Sequence, residues 1–145
     1  MTVIRKAEAR DLGALAEIER SCFDKTRFPL QLLRRMAVCS DFLTLVVEGE
    51  AGVVGYASAH LAGPEARLIS IAVAPAERGK GAAKELLARL EQGCRRTGMG
   101  RISLEVAVSN ALALRLYLVN GYLIKGMIRD YYGEGEDAFY MEKRL

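Results

Sequence analysis

Residues 68–83 read Leu-Ile-Ser-Ile-Ala-Val-Ala-Pro-Ala-Glu-Arg-Gly-Lys-Gly-Ala-Ala. The run Leu68–Val73 is almost entirely apolar, which is typical of a central strand buried on both faces, and Pro75 ends it. A helix is predicted after the glycine-rich turn because its apolar residues share one face at helical spacing, namely Ala83, Leu86, Leu87, Leu90 and Cys94. The stretch therefore predicts a strand, a small basic turn and a helix in direct succession.

The turn Arg78–Ala83 has the composition of an anion-binding site. The first amides of a helix lack intrahelical partners, and the helix dipole places partial positive charge there. Small residues let a phosphate approach the backbone, while Arg78 and Lys80 add charge. A Walker loop would need Ser or Thr at Gly81, and a dinucleotide fingerprint would need glycine at Lys84. A diphosphate ligand such as coenzyme A fits better; alternatively, the glycines only turn the chain and the basic side chains are solvated.

The same kinds of pattern predict one mixed α/β domain over residues 1–145, with the order β-α-α-β-β-β-α-β-α-β-β. Asp11 is the predicted N-cap of the first helix, and Pro29 opens the second. Ser109 and Asn110 are the predicted caps of the last helix. The remaining predicted strands are Val3–Arg5, Phe42–Glu48, Val53–Leu61, Arg101–Val108, Tyr122–Asp130 and Ala138–Leu145, with a polar loop, Tyr131–Asp137, between the last two.

Composition narrows the class of protein. The chain has 145 residues, of which 51% are apolar and 27% charged, with a net charge of +3. This balance is that of an ordinary globular domain and excludes a disordered tail or a multidomain assembly. The mild basicity does not indicate nucleic-acid binding. Since no apolar run is long enough for a membrane span or a leader peptide, we expect no membrane contact and a cytoplasmic location. We also expect a monomer or a weak homodimer.

The cysteines and the histidine do not indicate a metal site. Cys22, Cys39 and Cys94 are odd in number, widely spaced and without a C-x-x-C pair, so we expect free thiols and no zinc site. Cys94 falls on the apolar helix face and is expected to pack there. His60 lies in an alternating stretch and is interpreted as a plain strand residue.

Three motifs in register resemble the GCN5-related N-acetyltransferases (GNAT superfamily). Residues 71–75 followed by Arg78–Ala83 resemble the acetyl-CoA motif of that family, Q/R-x-x-G-x-G/A. Residues 104–110, then Ala113, Leu116-Tyr117 and Gly121-Tyr122, resemble its second motif. Residues 131–138 with Met141 resemble the C-terminal hairpin of the protein N-terminal acetyltransferases similar to the ribosomal-protein-alanine (RimI-type) enzymes.

The resemblance implies a mixed sheet of about seven strands flanked by about four helices, with two splayed central strands that admit acetyl-CoA. The backbone of Ile71, Ala72 and Val73 would pair with the pantetheine arm, and Asn110 would contact the coenzyme. The pyrophosphate would be held by the amides of Arg78, Gly79, Lys80, Gly81, Ala82 and Ala83. No metal is implied.

The chemistry requires a neutral amine and a proton for the leaving thiolate. The strand Arg101–Val108 alternates, with Ile102, Leu104, Val106 and Val108 on one face and Glu105 on the other, next to the implied cleft. A carboxylate can take a proton from a protein α-amine, whose pKa is ~7.7–8.0. Glu105 is therefore the candidate general base. Tyr117, twelve residues later as the family resemblance implies, is the candidate acid for the thiolate. We expect direct attack without an acyl-enzyme.

Tyr131 and Tyr132 look like the pair that lines the peptide entrance in the N-terminal acetyltransferases. The residues 24–30 would form another wall of the acceptor site, although the chain lacks the tryptophan that relatives often carry there. The acidic hairpin residues, Glu134, Glu136 and Asp137, favour a cationic amine. The expected acceptor is a protein N-terminus, for example that of a ribosomal protein. The alternatives are a small-molecule amine, a lysine ε-amine, or a non-catalytic module that senses acetyl-CoA.

Overall fold

A computed structural model describes residues 2–23 and 28–145. Its elements follow the predicted order. The strands are β1 (Val3–Lys6), β2 (Phe42–Gly49), β3 (Gly52–Ala62), β4 (Glu65–Val73), β5 (Arg101–Ala107), β6 (Leu123–Gly133) and β7 (Glu136–Arg144). The helices are α1 (Leu12–Cys22), α2 (Leu30–Val38), α3 (Ala82–Arg96) and α4 (Ala111–Val119).

The seven strands form one mixed sheet in the order β1-β2-β3-β4-β5-β7-β6. Neighbouring strands are antiparallel except for β4 and β5, which are parallel. These two pair only where Glu65–Arg67 meets Arg101–Ser103, and beyond that point they separate. The predicted splay of the central strands is confirmed, and it opens a wedge in the middle of the sheet.

Helices cover both faces of the sheet. One buried cluster packs α1 and α2 against Val46, Tyr56 and Ala72. The other packs α3 and α4 against the opposite face, including Ile102, Leu104 and Val106 of β5. Burying each large aliphatic side chain contributes roughly 2 kcal/mol. A Cβ added at Gly93 of α3 would lie 2.5 Å from Leu43 Cδ2, so this glycine lets the helix approach β2 closely.

The alternation of β5 is confirmed through Ala107, but Val108 lies beyond the strand and is 39% exposed. Pairing with β7 ends at Ala107, after which the chain turns into the cap of α4. The prediction that β4 is buried on both faces was wrong for Ile69 and Ile71, which are half-buried. The reason for Ile71 is the wedge: it lines a cavity instead of a neighbouring strand.

The predicted loop Tyr131–Asp137 is wrong, because both strands of the C-terminal hairpin continue into it. Gly133 pairs with Glu136, which leaves a two-residue turn. The pairing with β7 is irregular between Ile128 and Gly133. Asp130 has a φ of 53° there, and its carboxylate accepts a hydrogen bond from the Gly135 amide at 2.8 Å. The irregular pairing lets strand geometry persist through a polar sequence.

Asp11 stands at the predicted position before α1, but its carboxylate does not cap that helix. Asp11 Oδ2 accepts a hydrogen bond from the Glu8 amide at 2.7 Å, and both carboxylate oxygens accept from Arg5, at 2.8 and 2.9 Å. The Arg5 hydrogen bonds, opposed by burial and supported by the Glu8 amide, hold the pKa of Asp11 below its usual value. This buried carboxylate ties β1 to the turn before α1.

We expect Asp11→Asn to lower the free energy of unfolding by about 2–3 kcal/mol at pH 7, because it weakens a bidentate ion pair. A lowered folded-state pKa contributes stability above the unfolded pKa of ~3.9, and this stability is lost as the pH falls. The difference between the two proteins should therefore shrink in urea titrations at lower pH. Asp41→Asn is the control, since the Asp41 side chain is 43% exposed. This substitution should lower the free energy of unfolding by under ~1 kcal/mol. An equal loss at pH 3 and pH 7 would contradict this assignment.

Candidate active site

The wedge opens into a cavity of about 480 Å³ at the start of α3. All the residues predicted to hold the coenzyme line it except Lys80. The Lys80 ammonium lies 3.4 Å from Glu77 Oε1, and the residue lines a smaller cleft with Thr2 and Ile4. The cavity is lined by Cys22, Phe23, Ile71, Ala72, Val73, Glu77, Arg78, Gly79, Gly81, Ala82, Ala83, Lys84, Asn110, Leu112, Ala113 and Leu116.

The first turn of α3 presents unpaired amides at this cavity. Gly81 is the N-cap with a φ of 81°, a left-handed conformation that favours glycine, and no side chain caps the helix there. The amides of Ala82, Ala83 and Lys84 therefore have no helical partner. Cβ atoms added at Gly79 and Gly81 would meet nothing within 4 Å. Open space, free N–H groups and a positive dipole end together fit a phosphate group.

The carbonyl of Val73, at the end of β4, already has partners from this chain. Arg78 Nε donates to it at 3.1 Å, and the Cys22 thiol lies 3.4 Å away. Arg78 Nη2 also approaches Cys22 Sγ at 3.3 Å. Sequence reasoning missed Cys22 and Phe23 as cavity residues, because they come from the end of α1 and carry no local motif. The Arg78 side chain is thus held against the wall of the cavity.

Asn110 caps α4 and also lines the cavity. Its Oδ1 accepts a hydrogen bond from the Ala113 amide at 3.2 Å, which confirms the predicted cap of α4. The same residue lines the cavity opposite the start of α3. Because one side of the amide group is used in capping, the remaining polar atom is the one available to a ligand.

Glu105 lies just past the point where β4 and β5 separate, and its side chain is 10% exposed. Its Oε1 is 2.6 Å from Arg67 Nη2 and accepts a hydrogen bond from the Tyr131 hydroxyl at 3.4 Å. Arg67 Nη2 also donates to that hydroxyl at 2.9 Å. Arg67 was not singled out by the sequence analysis, since a lone arginine at the start of a strand has no distinctive pattern. The candidate base therefore has a cationic partner.

Tyr132 lies beside Glu105, and Tyr117 is buried in α4. The Tyr132 hydroxyl donates to the Glu105 carbonyl at 3.4 Å, and its ring lies edge-on to Tyr131. Burial, followed by the neighbouring Tyr131 and Glu105, raises the pKa of Tyr132 to about 12. Burial, with a smaller effect from Tyr132, raises the pKa of Tyr117 well above its usual value. Both hydroxyls therefore stay protonated at neutral pH and can act as donors.

Tyr117 is 6% exposed and packs 5.6 Å, centroid to centroid, from Tyr122. Tyr122 donates to Glu91 Oε2 at 2.8 Å, and Lys143 Nζ lies 2.9 Å from the other carboxylate oxygen. That buried network fixes the position of the Tyr122 ring. The Tyr117 ring packs against this ring, and Tyr117 itself is not among the residues that line the cavity.

Cys94 and His60 lie where the sequence predicts, on the buried face of α3 and in a strand. Cys94 is fully buried in the core, where burial raises the pKa of its thiol to about 11. His60 lies in β3, 3.3 Å from Asp41 and against the Phe42 ring. Within residues 2–23 and 28–145, no group of three or more His, Cys, Asp or Glu is arranged to hold a metal ion. No helix in that part of the chain is long and apolar enough to cross a membrane.

The predicted acceptor wall at residues 24–30 falls mostly outside the described residues, which omit 24–27. Phe23, just before this segment, lines the cavity. Phe28, within it, packs against the buried cluster of α1 and α2.

Comparison with known proteins gives a consistent result. The model of the Acetyltransferase (GNAT) family matches residues 12–122. An uncharacterized N-acetyltransferase of Methanocaldococcus jannaschii is 37% identical over 98% of this chain and 91% of its own length. A provisionally named ribosomal protein bS18-alanine N-acetyltransferase of Bacillus subtilis is 31% identical over 95% of this chain and 92% of its own length.

A solved structure agrees in fold as well as in sequence. The crystal structure of the ribosomal-protein-S18-alanine N-acetyltransferase from Escherichia coli superposes with a TM-score of 0.89 at 26% identity. The match covers 100% of this chain and 94% of that one.

Proposed function

The chain belongs to the GNAT family of acetyl-CoA-dependent N-acetyltransferases, and from this premise we propose that its acceptor is the N-terminal α-amine of a protein. The observation that carries the proposal is the position of Glu105 at the narrow end of the wedge, beside Tyr131 and Tyr132 of the β6–β7 hairpin. A carboxylate there would meet an amine that enters past the two tyrosines. The names of the relatives from Bacillus and Escherichia support the same class of acceptor.

The cavity residues have the features needed to hold the coenzyme. The free amides at the start of α3, with Arg78, would bind the pyrophosphate. The backbone of β4 at Ile71–Val73, where Arg78 and Cys22 already bind the Val73 carbonyl, would bind the pantetheine arm. Asn110 would add a polar contact from the start of α4. Acetyl-CoA supplies the acetyl group as a thioester. The side chains described next act on the amine and on the thiolate.

Glu105 would accept the proton that the amine loses as it attacks the thioester, directly or through one water. A protein α-amine, with a pKa of ~7.7–8.0, has a substantial neutral fraction near pH 7, so a carboxylate is a sufficient base. Tyr117 would donate a hydrogen bond or proton to the departing thiolate, because a tyrosine hydroxyl is protonated at neutral pH. The amine would attack directly, without a covalent enzyme intermediate.

We expect Ala83→Glu to weaken acetyl-CoA binding about tenfold or more, because a carboxylate in the first turn of α3 would repel the pyrophosphate. Isothermal titration with acetyl-CoA measures the effect. An acidic residue is favourable for the helix dipole at this position. Because Ala83 is half-buried against the core, thermal melting of the variant checks that the fold is retained. Ala88→Glu is the matched control, since Ala88 is exposed on the same helix outside the cavity. Equal affinities of the two variants would contradict the assignment of the pyrophosphate site.

The acceptor class is tested by comparing kcat/KM for three amines under the same conditions. The first is a lysine-free peptide with a free N-terminus, the second an N-terminally blocked peptide with one internal lysine, and the third a polyamine. We expect the free N-terminus to be preferred, because an ε-amine, with a pKa of ~10.4, is much harder to deprotonate. Preference for the lysine peptide or for the polyamine would contradict the proposal.

The relatives' names support a ribosomal protein as acceptor, and thus action in the cytoplasm.

A further inference from the structure

Arg67 lies at the point where the two central strands part. It forms the last parallel pair with Ser103, and beyond this pair β4 and β5 separate. Its neighbours Ala66 and Leu68 pack into the cluster with α3, so Arg67 projects from the opposite face of the sheet. Glu105 projects from that same face, two residues after Ser103. Arg67 is therefore next to the place where the acceptor amine would meet Glu105.

The guanidinium is only partly used by its neighbours. Nη2 makes both of the contacts described above, to Glu105 at 2.6 Å and to the Tyr131 hydroxyl at 2.9 Å. Half of the Arg67 side chain is exposed. An arginine carries three more N–H donors on Nε and Nη1, arranged to bind a carboxylate in the plane of the group. Arg67 thus has both the donors and the access to contact an incoming acceptor.

Charge balance indicates which acceptor fits. When an amine engages Glu105, the carboxylate is shared between the amine and Arg67, and the positive charge of Arg67 is less well compensated. A carboxylate on the acceptor would restore that compensation. A second positive charge on the acceptor would instead be repelled by Arg67. The pair Arg67–Glu105 is therefore complementary to an acceptor that carries an amine and a carboxylate close together.

We infer that Arg67 binds a carboxylate of the acceptor, the side chain of an Asp or Glu in its first or second residue, while Glu105 engages the α-amine. This inference rests on the proposed function, since it requires the amine to reach Glu105. Arg67 is a specificity-determining residue in this arrangement. Nη2 of Arg67 keeps its contact with Glu105, and the donors on Nε and Nη1 would bind the acceptor's carboxylate.

The experiment measures kcat and KM with peptides that differ only in their first two residues: Ala-Ala, Asp-Ala, Ala-Asp and Ala-Lys. The protein should prefer one of the acidic peptides over Ala-Ala by about 10–100-fold in kcat/KM, and Ala-Lys should be the poorest. The Asp-Ala and Ala-Asp arms identify which residue is recognised. In Arg67→Gln the preference should disappear through a higher KM for the acidic peptide, so that its kcat/KM falls to that of Ala-Ala.

Two further variants separate recognition from structure. Arg67→Lys should recover part of the preference, because it keeps the charge but lacks the planar pair of donors. Arg101→Gln should keep the full preference; Arg101 is also half-exposed and pairs with Glu65 at 2.6 Å, but it lies at the start of β5, on the paired side of Ser103. Thermal melting of each variant checks that the fold is retained.

Equal kcat/KM for all four peptides would overturn the inference while leaving α-amine acetylation intact. An equal fall of kcat on every peptide in Arg67→Gln would also overturn it, because Arg67 would then only position Glu105. If the protein acetylates a lysine ε-amine or a polyamine and no peptide N-terminus, the proposed function fails, and the inference fails with it.

Discussion

Glu105→Gln is expected to lower kcat roughly 10²–10⁴-fold, the range typical of a general base. The substitution keeps the shape of the side chain and an oxygen that can accept from Arg67 and Tyr131. It removes the group that takes the proton of the amine. The KM for acetyl-CoA should stay near its original value, because Glu105 is not among the residues that line the coenzyme cavity. Steady-state rates of thiol release with an N-terminal peptide measure both quantities.

Glu65→Gln is the control for this variant. Glu65 also sits on the β4–β5 pairing and also binds an arginine, Arg101, at 2.6 Å, but it lies on the paired side of Arg67, away from the wedge. Its kcat should be within about twofold of the original, since surface pairs contribute little. If Glu105→Gln retains full activity, the assignment of the base is wrong even though the family is correct.

Tyr117→Phe is the second variant with a large expected effect, again roughly 10²–10⁴-fold in kcat. The change removes one hydroxyl from a ring that is otherwise packed in the core, so the fold should be retained. Because the pKa of Tyr117 is raised well above its usual value, the original protein should show no loss of activity from ionisation of this group as the pH rises toward ~10. Initial rates across that pH range check this.

Tyr122→Phe is the control, because it removes a neighbouring tyrosine hydroxyl that has no proposed role in the reaction. The two rings pack against each other, but the Tyr122 hydroxyl is bound to Glu91, inside the core. We expect Tyr122→Phe to cost about 1–3 kcal/mol in the free energy of unfolding and to leave kcat nearly unchanged. Equal kcat values for Tyr117→Phe and Tyr122→Phe would contradict the role given to Tyr117.

The parts of the fold that the sequence predicted are those with local causes. The two-residue period of β5 places Ile102 in the core and Glu105 on the other face without any knowledge of its neighbours. The cap at Asn110 and the free amides after Gly81 depend only on adjacent residues. For the same reason, nine of the sixteen residues that line the cavity were predicted as coenzyme-binding residues.

The parts that escaped prediction depend on contacts between distant segments. Arg67 meets Glu105 only because β4 and β5 are parallel with a particular register. Cys22 reaches the cavity from α1, 51 residues away from the Val73 carbonyl that it contacts. Tyr131 lies in a strand because Asp130 accommodates an irregular pairing through its positive φ, which a polar sequence does not reveal.

The most direct test of the central claim uses one peptide that carries both a free N-terminus and an internal lysine. The protein is incubated with this peptide and acetyl-CoA, and fragment masses locate the transferred acetyl group. We predict a single acetyl group on the α-amine, formed at least ~100-fold more slowly when Glu105→Gln replaces the original protein. An acetyl group on the lysine side chain, with the N-terminus left free, would contradict it.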